Sequence, residues 1–381
     1  NHQNHFARSR RVVLINAQAI IIDYIEGRRR SILINCTLRL MSFFYKMGVK
    51  SKNFIFDYRF IESKTVSIPV VSVGNIVAGG TGKTSFIQKI TKDLSQNAQI
   101  SILSRGYRSK IEKLKGNLHL VNKSRVTPDV CGDEPYLLSK NLPQANLFVG
   151  RDRTLNAKRA VYHNAELILL DDGMQYRYLN RDLEVVMLNS NNLFGHGFFL
   201  PRGYLRDSPS RLKKADYIVV NHVQDKDHFE KLKSRIIKFT KAPIIGTRMA
   251  PKHVSTFLGN KLVDLKGYRV GVFCGLGDPQ SFLATLENMG CKVINELILQ
   301  DHIAPSYKEL LSFSNKCISD KCDIIICSQK DWIKAPIGHD LPIEVGFLEA
   351  ELDVLGGMSH YEEMLSYVRK LVEKNKVRIN D

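Results

Sequence analysis

A glycine-dense turn that ends in Gly-Lys-Thr lies at residues 72–84. It follows a β-branched apolar run at 67–73 and precedes a helical pattern at 85–94, which predicts a strand, a turn and a helix. Glycines let backbone N–H groups converge on anionic oxygens, the Lys83 ammonium can reach β- and γ-phosphates, and the Thr84 hydroxyl can bind Mg²⁺. The pattern predicts a nucleoside triphosphate site, and the simpler alternative is a glycine-rich loop without a chemical role.

The residues predicted to contact the nucleotide are consecutive in the chain. They are Val77, Ala78, Gly79, Gly80, Thr81, Gly82, Lys83 and Thr84. Val77 stands where the P-loop pattern asks for a glycine, before the sequence Gly82-Lys83-Thr84. This difference weakens the motif taken alone, but its setting between a strand and a helix still favours a phosphate site.

A second acidic position follows an apolar pattern at residues 166–170, which is typical of a buried strand. Asp171 and Asp172 come at its carboxyl end, where P-loop enzymes place the aspartate that contacts Mg²⁺ or its water shell. Adjacent strand residues point to opposite faces, so we expect Asp171 to bind the metal with Thr84 and Asp172 to face the water shell or the substrate. Without the Lys83 loop, the same residues would rather indicate a strand followed by an Asp-Asp-Gly turn.

The composition is ordinary for a soluble globular protein with a large core. The chain has 381 residues, of which 44% are hydrophobic and 25% charged, and this length suggests two or three domains. Its seven cysteines form no CxxC pair, and an odd number with no evident secretory signal indicates reduced thiols in the cytoplasm. The spacing of Cys317, Cys322 and Cys327 is not that of a usual zinc site.

The net charge of +18 is distributed unevenly along the chain. Residues 1–65 contain 12 Lys and Arg against 4 Asp and Glu. Such an excess favours an anionic partner, either nucleic acid or an acidic membrane surface. The basic residues accompany a Phe- and Leu-rich pattern rather than a base-stacking motif, so we expect a membrane surface and no nucleic acid.

Residues 31–47 have the periodicity of an amphipathic helix with a basic polar face. The apolar face consists of Leu33, Cys36, Leu40, Phe43 or Phe44, and Met47. Arg39 and Lys46 interrupt the stretch, which makes a membrane-spanning helix improbable and an interfacial helix the better interpretation. The alternative is an ordinary surface helix whose apolar face packs on the domain behind it.

Beyond residue 66, strand patterns alternate with helix patterns, as in an α/β protein with a doubly wound, mostly parallel sheet. A second alternation begins near residue 241, so a smaller α/β lobe is expected there. The predicted organisation is an amino-terminal basic segment at 1–65, a P-loop NTPase-like core at 66–240 and the smaller lobe at 241–381. Ligands of such sheets bind at the carboxyl ends of the strands.

Several short motifs occur in a fixed order between about residue 31 and residue 332. They are Val73-Gly74-Asn75, Gly79-Gly80-Thr81-Gly82-Lys83-Thr84, Ser104-Arg105-Gly106-Tyr107, Gly132-Asp133-Glu134-Pro135, Asp171-Asp172-Gly173-Met174-Gln175, Arg181-Asp182, Leu200-Pro201 and Leu205-Arg206. In this order they resemble the tetraacyldisaccharide 4′-kinase family, the lipid A 4′-kinases of Gram-negative bacteria.

The resemblance implies an ATP- and Mg²⁺-dependent kinase of lipid A biosynthesis. Its expected acceptor is the 4′-hydroxyl of a tetraacylated glucosamine disaccharide 1-phosphate, and its expected fold is a P-loop NTPase-like core with an amino-terminal helix and a second lobe. It also implies a peripheral position on the cytoplasmic face of the bacterial inner membrane. We expect the protein to act as a monomer.

The same resemblance implies roles for individual residues. The catalytic acid of the family falls on Asp133, which would accept the proton of the sugar hydroxyl, and its partner falls on His302. Lys83 and Asp172 complete the predicted catalytic set. For His302 alone, a loop histidine with satisfied hydrogen bonds would be the better interpretation. Tyr176 and Asp207 replace the histidine and glutamate expected at their positions, which puts the contacts of those positions in question.

A P-loop ATPase or GTPase switch, or a metal-insertion NTPase, is the alternative class. A GTPase should carry an Asn-Lys-x-Asp motif that reads guanine, and Ser328-Gln329-Lys330-Asp331 has the wrong spacing for it. Arg151 and Arg153 are further candidates for phosphate contact, with ordinary solvated charges as the alternative.

Overall fold

The protein is an α/β protein in which strands and helices alternate. A computed structural model describes residues 20–120, 126–276, 279–300 and 303–380. In chain order the strands are β1 (Val70–Asn75), β2 (Ile100–Ser104), β3 (Asn117–Leu120), β4 (Asn146–Gly150), β5 (Leu167–Asp171), β6 (Leu183–Asn189), β7 (Tyr217–Asn221), β8 (Ile244–Thr256), β9 (Lys261–Leu262), β10 (Arg269–Cys274), β11 (Lys292–Ile298), β12 (Ile324–Ser328) and β13 (Val345–Gly356).

Helices connect most of these strands. In chain order they are α1 (Ile32–Asp57), α2 (Lys83–Leu94), α3 (Lys110–Lys113), α4 (Pro128–Cys131), α5 (Asp133–Asn141), α6 (Arg153–Tyr162), α7 (Lys226–Ile236), α8 (Pro279–Asn288), α9 (Tyr307–Ser319), α10 (Gln329–Trp332) and α11 (Met358–Asn380). Short 3₁₀ turns also occur between β6 and β7.

The chain divides into two compact units. Within the described residues, the first unit comprises 20–83, 172–246 and 355–368, and the second comprises 84–171, 247–354 and 369–380. The division predicted from sequence, at residues 65 and 240, stays a prediction.

The first unit contains parallel strands paired in the order β1, β6, β7 and the start of β8. Every residue of β1 is buried, as expected for a parallel strand covered on both faces. One hydrophobic cluster packs beside these strands and includes Ile76, Val186, Ile218 and Phe229. The residue that follows β1 therefore begins the glycine-rich turn from a rigid, buried position.

The second unit contains two groups of parallel strands. In one, β5, β2 and β4 pair in parallel and β3 adds an antiparallel edge. In the other, β11, β10, β12 and β13 pair in parallel. The prediction of a mostly parallel α/β protein is confirmed. The β3 edge and the long β13 strand were not predicted, because their sequences lack the continuous apolar run of a central strand.

Helix α1 extends ten residues beyond the predicted end at residue 47 and turns its predicted apolar face outward. Leu38, Ser42 and Phe56 are its buried residues, and the Ser42 hydroxyl donates to the Phe199 carbonyl over 2.8 Å. Large apolar side chains on the other side remain exposed, among them Leu33 at 78%, Leu40 at 59% and Phe44 at 64%. The alternative of an ordinary packing helix is wrong for this face. In the described part of the chain, no helix is both long and apolar enough to cross a membrane.

The carboxyl end of α1 is attached to its unit by charge. Asp57 accepts hydrogen bonds from Arg177 (Nη2 to Oδ1, 2.8 Å) and Arg211 (Nη1 to Oδ2, 2.7 Å). Partial burial opposes ionisation of Asp57, but the two guanidinium groups outweigh it and lower the pKa of this carboxyl. Since the folded pKa lies below the unfolded one, the contribution to stability is present at neutral pH and is lost as the pH falls.

Asp57→Asn should therefore destabilise the protein at pH 7 by about 1 to 3 kcal/mol, because two charged donors lose an ionised acceptor. Urea unfolding followed by circular dichroism measures the difference. It should begin to shrink as the pH falls through about 3.9, the pKa of an unfolded aspartate, and should vanish once the pH has also passed the lower pKa of folded Asp57. Glu62→Gln, at an exposed residue beyond the same helix, is the control. Equal stability of Asp57→Asn and wild type at pH 7 would show that the arginine contacts do not anchor α1.

Candidate active site

Asn75, the last residue of β1, organises the glycine-rich loop at residues 76–82. Its side chain is fully buried. The Nδ2 group donates to the Val77 carbonyl over 2.7 Å and lies 3.2 Å from the Thr81 hydroxyl oxygen. One amide therefore joins the first and last parts of the loop.

A second segment, residues 204–206, runs beside the loop. The Ala78 N–H donates to the Tyr204 carbonyl over 2.7 Å, and the Arg206 N–H donates to the Ile76 carbonyl over 2.8 Å. Val77, which replaces the expected glycine, is buried in the hydrophobic cluster of the first unit together with Leu205. The branched side chain at this position thus anchors the loop to the core.

Gly82 must be a glycine for steric reasons. Its φ of +84° lies in the region that side chains disfavour, and a Cβ atom there would lie 2.1 Å from Nδ2 of Asn221. Gly80 differs, since a Cβ there would meet no atom within 4 Å. The Gly80 carbonyl accepts a hydrogen bond from Asn189 over 2.9 Å. Asn189 at the end of β6 thus hydrogen-bonds to the loop, and Asn221 at the end of β7 lies close to Gly82.

An ion triad lies at the end of the loop. Lys83 is the first residue of α2, and its Nζ lies 3.6 Å from Oδ1 of Asp172. Arg206 binds the same carboxylate with two donors, Nη1 to Oδ1 at 2.9 Å and Nη2 to Oδ2 at 2.8 Å. Nη1 of Arg206 also donates to Oδ1 of Asn75 over 3.1 Å. The structure thus brings together Lys83 and Asp172, two of the predicted site residues, and adds Arg206.

Asp172 has already left its strand, because β5 ends at Asp171 and the φ of Asp172 is +50°. The alternation of strand faces, from which different roles were expected, therefore does not apply to Asp172, and the roles of the two acids stay a prediction. Asp171 is buried, and its Oδ2 accepts a hydrogen bond from the Ser104 hydroxyl over 2.9 Å. Asp172 instead takes part in the ion triad. Asp171 is thus a buried carboxylate that the Ser104 hydroxyl orients, whereas Asp172 is a more exposed carboxylate that pairs with two cations.

The residues predicted to bind Mg²⁺ are Thr84 and Asp171, both in the second unit. Thr84 is buried at the first turn of α2, and the Ser104 hydrogen bond orients the Asp171 carboxylate. A hydroxyl and a carboxylate are oxygen ligands, as Mg²⁺ prefers, and this metal keeps several of its waters. The described residues contain no group of three or more His, Cys, Asp or Glu that could hold a metal ion. A site that uses one carboxylate and one hydroxyl does not require such a group.

Asp133 is the first residue of α5, and its Oδ2 lies 2.5 Å from Nζ of Lys334. His302, its predicted partner, and Asp301 lie outside the described residues. Of the two candidate arginines, Arg153 is buried at the start of α6, whereas Arg151 is exposed. Burial makes Arg153 unlike a solvated surface charge, which was the alternative for both.

Tyr176 and Asp207, the two residues that differ from the family pattern, lie in the first unit. Asp207 is 4% exposed, accepts a hydrogen bond from Asn53 over 3.0 Å, and has a pKa raised by burial. Tyr176 is half-buried, with its ring centroid 5.7 Å from that of Tyr178. Asp207 therefore has a structural partner in α1 whatever contact the family's glutamate makes.

Residues 328–331, which were compared with the guanine-binding motif of GTPases, have a structural role. The Asp331 carboxylate accepts hydrogen bonds from the Gly275 N–H over 3.0 Å and from the Ser328 hydroxyl over 2.5 Å. Asp331 is also only 2% exposed. Its carboxylate joins two strand ends of the second unit, which is a structural role.

Sequence reasoning missed several residues of these sites. Arg206 was present in a quoted motif, but its pairing with Asp172 has no local signal. Asn75 likewise belonged to a motif without an assigned role. Lys334 lies two hundred residues from Asp133 in the chain, and only the folded structure reveals that they meet.

A strand that leads into a glycine-rich loop, a helix that begins with lysine and an acidic strand end define the protein as a P-loop nucleotide-binding α/β protein. A sequence model of the tetraacyldisaccharide-1-P 4′-kinase family (LpxK) matches residues 34–368. The tetraacyldisaccharide 4′-kinase of Chlamydia trachomatis is 34% identical over 323 residues, or 82% of this chain and 84% of that protein. The enzyme of the same name from Chlamydia abortus is 38% identical over 272 residues, or 71% and 73%.

A solved structure has the same fold. The crystal structure of LpxK from Aquifex aeolicus in complex with ATP matches with a TM-score of 0.70 and 28% identity, over 90% of this chain and 99% of that chain. The protein belongs to the tetraacyldisaccharide-1-P 4′-kinase family. The resemblance predicted from the short motifs is confirmed.

Gly82→Ala should lower the unfolding free energy by about 1 to 3 kcal/mol, because the new methyl group collides with Asn221 at an unfavourable φ. Gly80→Ala is the matched control, and it should change stability by less than about 0.5 kcal/mol because its Cβ has open space. Chemical unfolding of both variants without nucleotide measures the difference. Similar stabilities for the two variants would contradict the steric role of Gly82.

Proposed function

We propose that the protein transfers the γ-phosphate of ATP to the 4′-hydroxyl of a tetraacylated glucosamine disaccharide 1-phosphate in lipid A synthesis. The observation that carries this proposal is the Lys83–Asp172–Arg206 triad beside a glycine-rich loop that Asn75 joins, in a chain of this family. The chain also spans most of the length of its relatives, so the proposal concerns the whole activity and not one module.

Phosphate binding follows from the charges of the triad. Arg206 holds both oxygens of Asp172, whereas Lys83 is 3.6 Å from one of them, beyond a short hydrogen bond. The Lys83 ammonium can therefore turn toward a polyphosphate while Arg206 keeps Asp172 in place. Loop N–H groups and the amino-terminal end of α2 add favourable partial charge. Asp172 thus positions Lys83, and its negative charge offsets part of the positive charge of Lys83 and Arg206.

Proton transfer is the second requirement of the reaction. A sugar hydroxyl is a weak nucleophile and must lose its proton as it attacks the γ-phosphorus. We assign the acceptor role to Asp133, the residue that matches the family's acid, and the role of its partner to His302. The new bond forms between the 4′-oxygen and phosphorus, the bond to the ADP oxygen breaks, and Lys83 stabilises the charge on the departing ADP.

Thr84 and Asp171 are the residues that would hold Mg²⁺. When bound, the ion supplies neutralisation of phosphate charge. Ser104 keeps the Asp171 carboxylate oriented for this purpose through its hydrogen bond. In this proposal Thr84 and Asp171 bind the ion, and Ser104 orients Asp171.

Lys83→Ala and Asp133→Asn should each lower kcat/KM by at least about a hundredfold, through loss of charge stabilisation and of the proton acceptor respectively. The measurement uses γ-labelled ATP and a tetraacylated disaccharide 1-phosphate, with identification of the labelled product. ATP binding should weaken in Lys83→Ala and remain close to wild type in Asp133→Asn.

Label released only as inorganic phosphate by the wild-type protein, with none in the lipid, would contradict the kinase proposal and favour an NTPase switch. Near-normal transfer by Asp133→Asn would remove Asp133 from the base role while leaving the kinase proposal intact. The two results can therefore be separated in one set of assays.

We further propose that the outward face of α1 binds the acidic cytoplasmic surface of the bacterial inner membrane and that the protein acts there as a peripheral monomer. Leu33, Leu40 and Phe44 expose apolar surface along one side of the helix. Arg39 lies over the Phe198 ring at 5.8 Å, and Lys46 and Lys50 are exposed on the same helix. An apolar face with flanking cations suits an interface between anionic headgroups and acyl chains.

Serine at Leu33, Leu40 and Phe44 together should reduce binding to anionic vesicles at least about tenfold, because apolar side chains of this size contribute about 1.5 to 3 kcal/mol each when fully buried. Vesicle flotation at fixed salt measures the change. The control triple variant carries serine at Leu114, Leu258 and Val263, which are similarly exposed but lie in turns and loops outside α1. Equal loss of vesicle binding in both triple variants would indicate nonspecific binding through any exposed apolar residue rather than a membrane-binding face on α1.

A further inference from the structure

We infer that Lys334 is a positioning residue for the phosphoryl transfer, whose ammonium keeps the Asp133 carboxylate ionised and directed for proton acceptance. This inference rests on the proposed function, in which Asp133 is the proton acceptor. It adds a residue that the motifs did not indicate. The two residues lie in the same compact unit.

The contact between them is short and shielded. Nζ of Lys334 lies 2.5 Å from Oδ2 of Asp133, and the two side chains are 14% and 30% exposed. Ion pairs on open surfaces contribute little, because water screens them and flexible side chains lose entropy on pairing. A lysine that is mostly buried has lost much of that freedom already. Its charge therefore acts on Asp133 with less screening than a surface lysine would.

The segment that carries Lys334 is itself held in place. Asp331, three residues earlier, accepts a hydrogen bond from the Gly275 N–H over 3.0 Å, and its own N–H donates to the Ser328 hydroxyl over 3.2 Å. The Lys334 N–H then donates to the Asp331 carbonyl over 3.1 Å. Because Ser328 ends the buried strand β12, the backbone at Lys334 is connected directly to the core.

The helix that carries Asp133 is joined to the same segment at its other end. Asn141, the last residue of α5, and Gln329, the first residue of α10, exchange amide hydrogen bonds of 3.1 Å in both directions. Two attachments at opposite ends of α5 determine its position and its rotation relative to residues 328–334. The Asp133 carboxylate is thus held by Lys334 directly and by the Asn141–Gln329 pair through the helix.

Among the residues that the structure describes, the charged and titratable neighbours of Asp133 in the chain are Glu134 and Cys131, and neither is a cation. Glu134 pairs with Lys330 at 3.8 Å, and both of these side chains are more than 40% exposed. Burial, together with the Asp133 charge, raises the pKa of the Cys131 thiol to about 11, so this group is neutral. The amino-terminal end of α5 also favours a carboxylate. Lys330 therefore provides a matched control, since it is the same residue type in the same short segment.

The test compares the pH dependence of kcat/KM in Lys334→Met, Lys334→Arg, Lys330→Met and wild type, with ATP binding measured in parallel. In Lys334→Met the acidic limb should move to higher pH by about one unit or more, because the carboxylate has lost the cation that favours its charged form. Transfer on the plateau should also fall by about tenfold or more, since the carboxylate is less well directed. Lys334→Arg should restore the limb, Lys330→Met should leave it within about 0.3 unit, and the Kd for ATP should stay within about threefold.

An acidic limb that stays in place in Lys334→Met, with activity lost by the same factor at every pH, would overturn the inference and indicate a structural bridge only. Wild-type activity in that variant would also overturn it. If Lys334→Met does not fold, Lys334→Gln is measured against the same criteria. Asp133→Asn separates the two proposals. A normal rate in that variant removes the base role itself, whereas an inactive Asp133→Asn with an unmoved limb in Lys334→Met overturns only the role of Lys334.

Discussion

The bidentate pair between Arg206 and Asp172 is the interaction on which the nucleotide end of the protein depends. Two parallel N–H···O bonds determine both the place and the direction of the carboxylate. The same guanidinium donates to Asn75, whose amide joins the two parts of the glycine-rich loop. Loop shape, carboxylate and lysine are therefore coupled through one arginine. A lysine at position 206 could supply the charge but not this fork of donors.

Much of this arrangement follows from local sequence, and the part that does not follow is long-range. The loop, the helix after it and the Asp171 strand end were predictable because each has a local sequence signal. The loop has closely spaced glycines before Lys83, the helix has a helical period, and the strand has a continuous apolar run. The pairing of Asp172 with Arg206 was not, because it depends on residues 204–206 running beside the loop. The contact between Asp133 and Lys334 is harder still, since it joins elements that no short motif connects. Local pattern identifies the chemical groups, and tertiary packing decides their partners.

Helix α1 illustrates the same distinction for a surface. Its periodicity correctly indicated an amphipathic helix, but periodicity cannot tell whether the apolar face lies against the protein. The structure buries Leu38, Ser42 and Phe56 instead and leaves the apolar stripe outside. The helix is held by specific contacts, the Ser42 hydrogen bond and the Asp57 ion pairs, rather than by its most hydrophobic side. Its anchoring is thus independent of whatever covers the outward face.

Each unit of the protein pairs a predicted catalytic carboxylate with a lysine, and the two pairs differ in a way that suits their roles. The Lys83–Asp172 pair is long and the carboxylate is already satisfied by Arg206, so the lysine can turn to a phosphate at small cost. The Lys334–Asp133 pair is short, so the cation stays with the acid. A phosphate-binding lysine must be able to change partners, whereas a proton acceptor must be held still. The distances in the two pairs correspond to these opposite requirements.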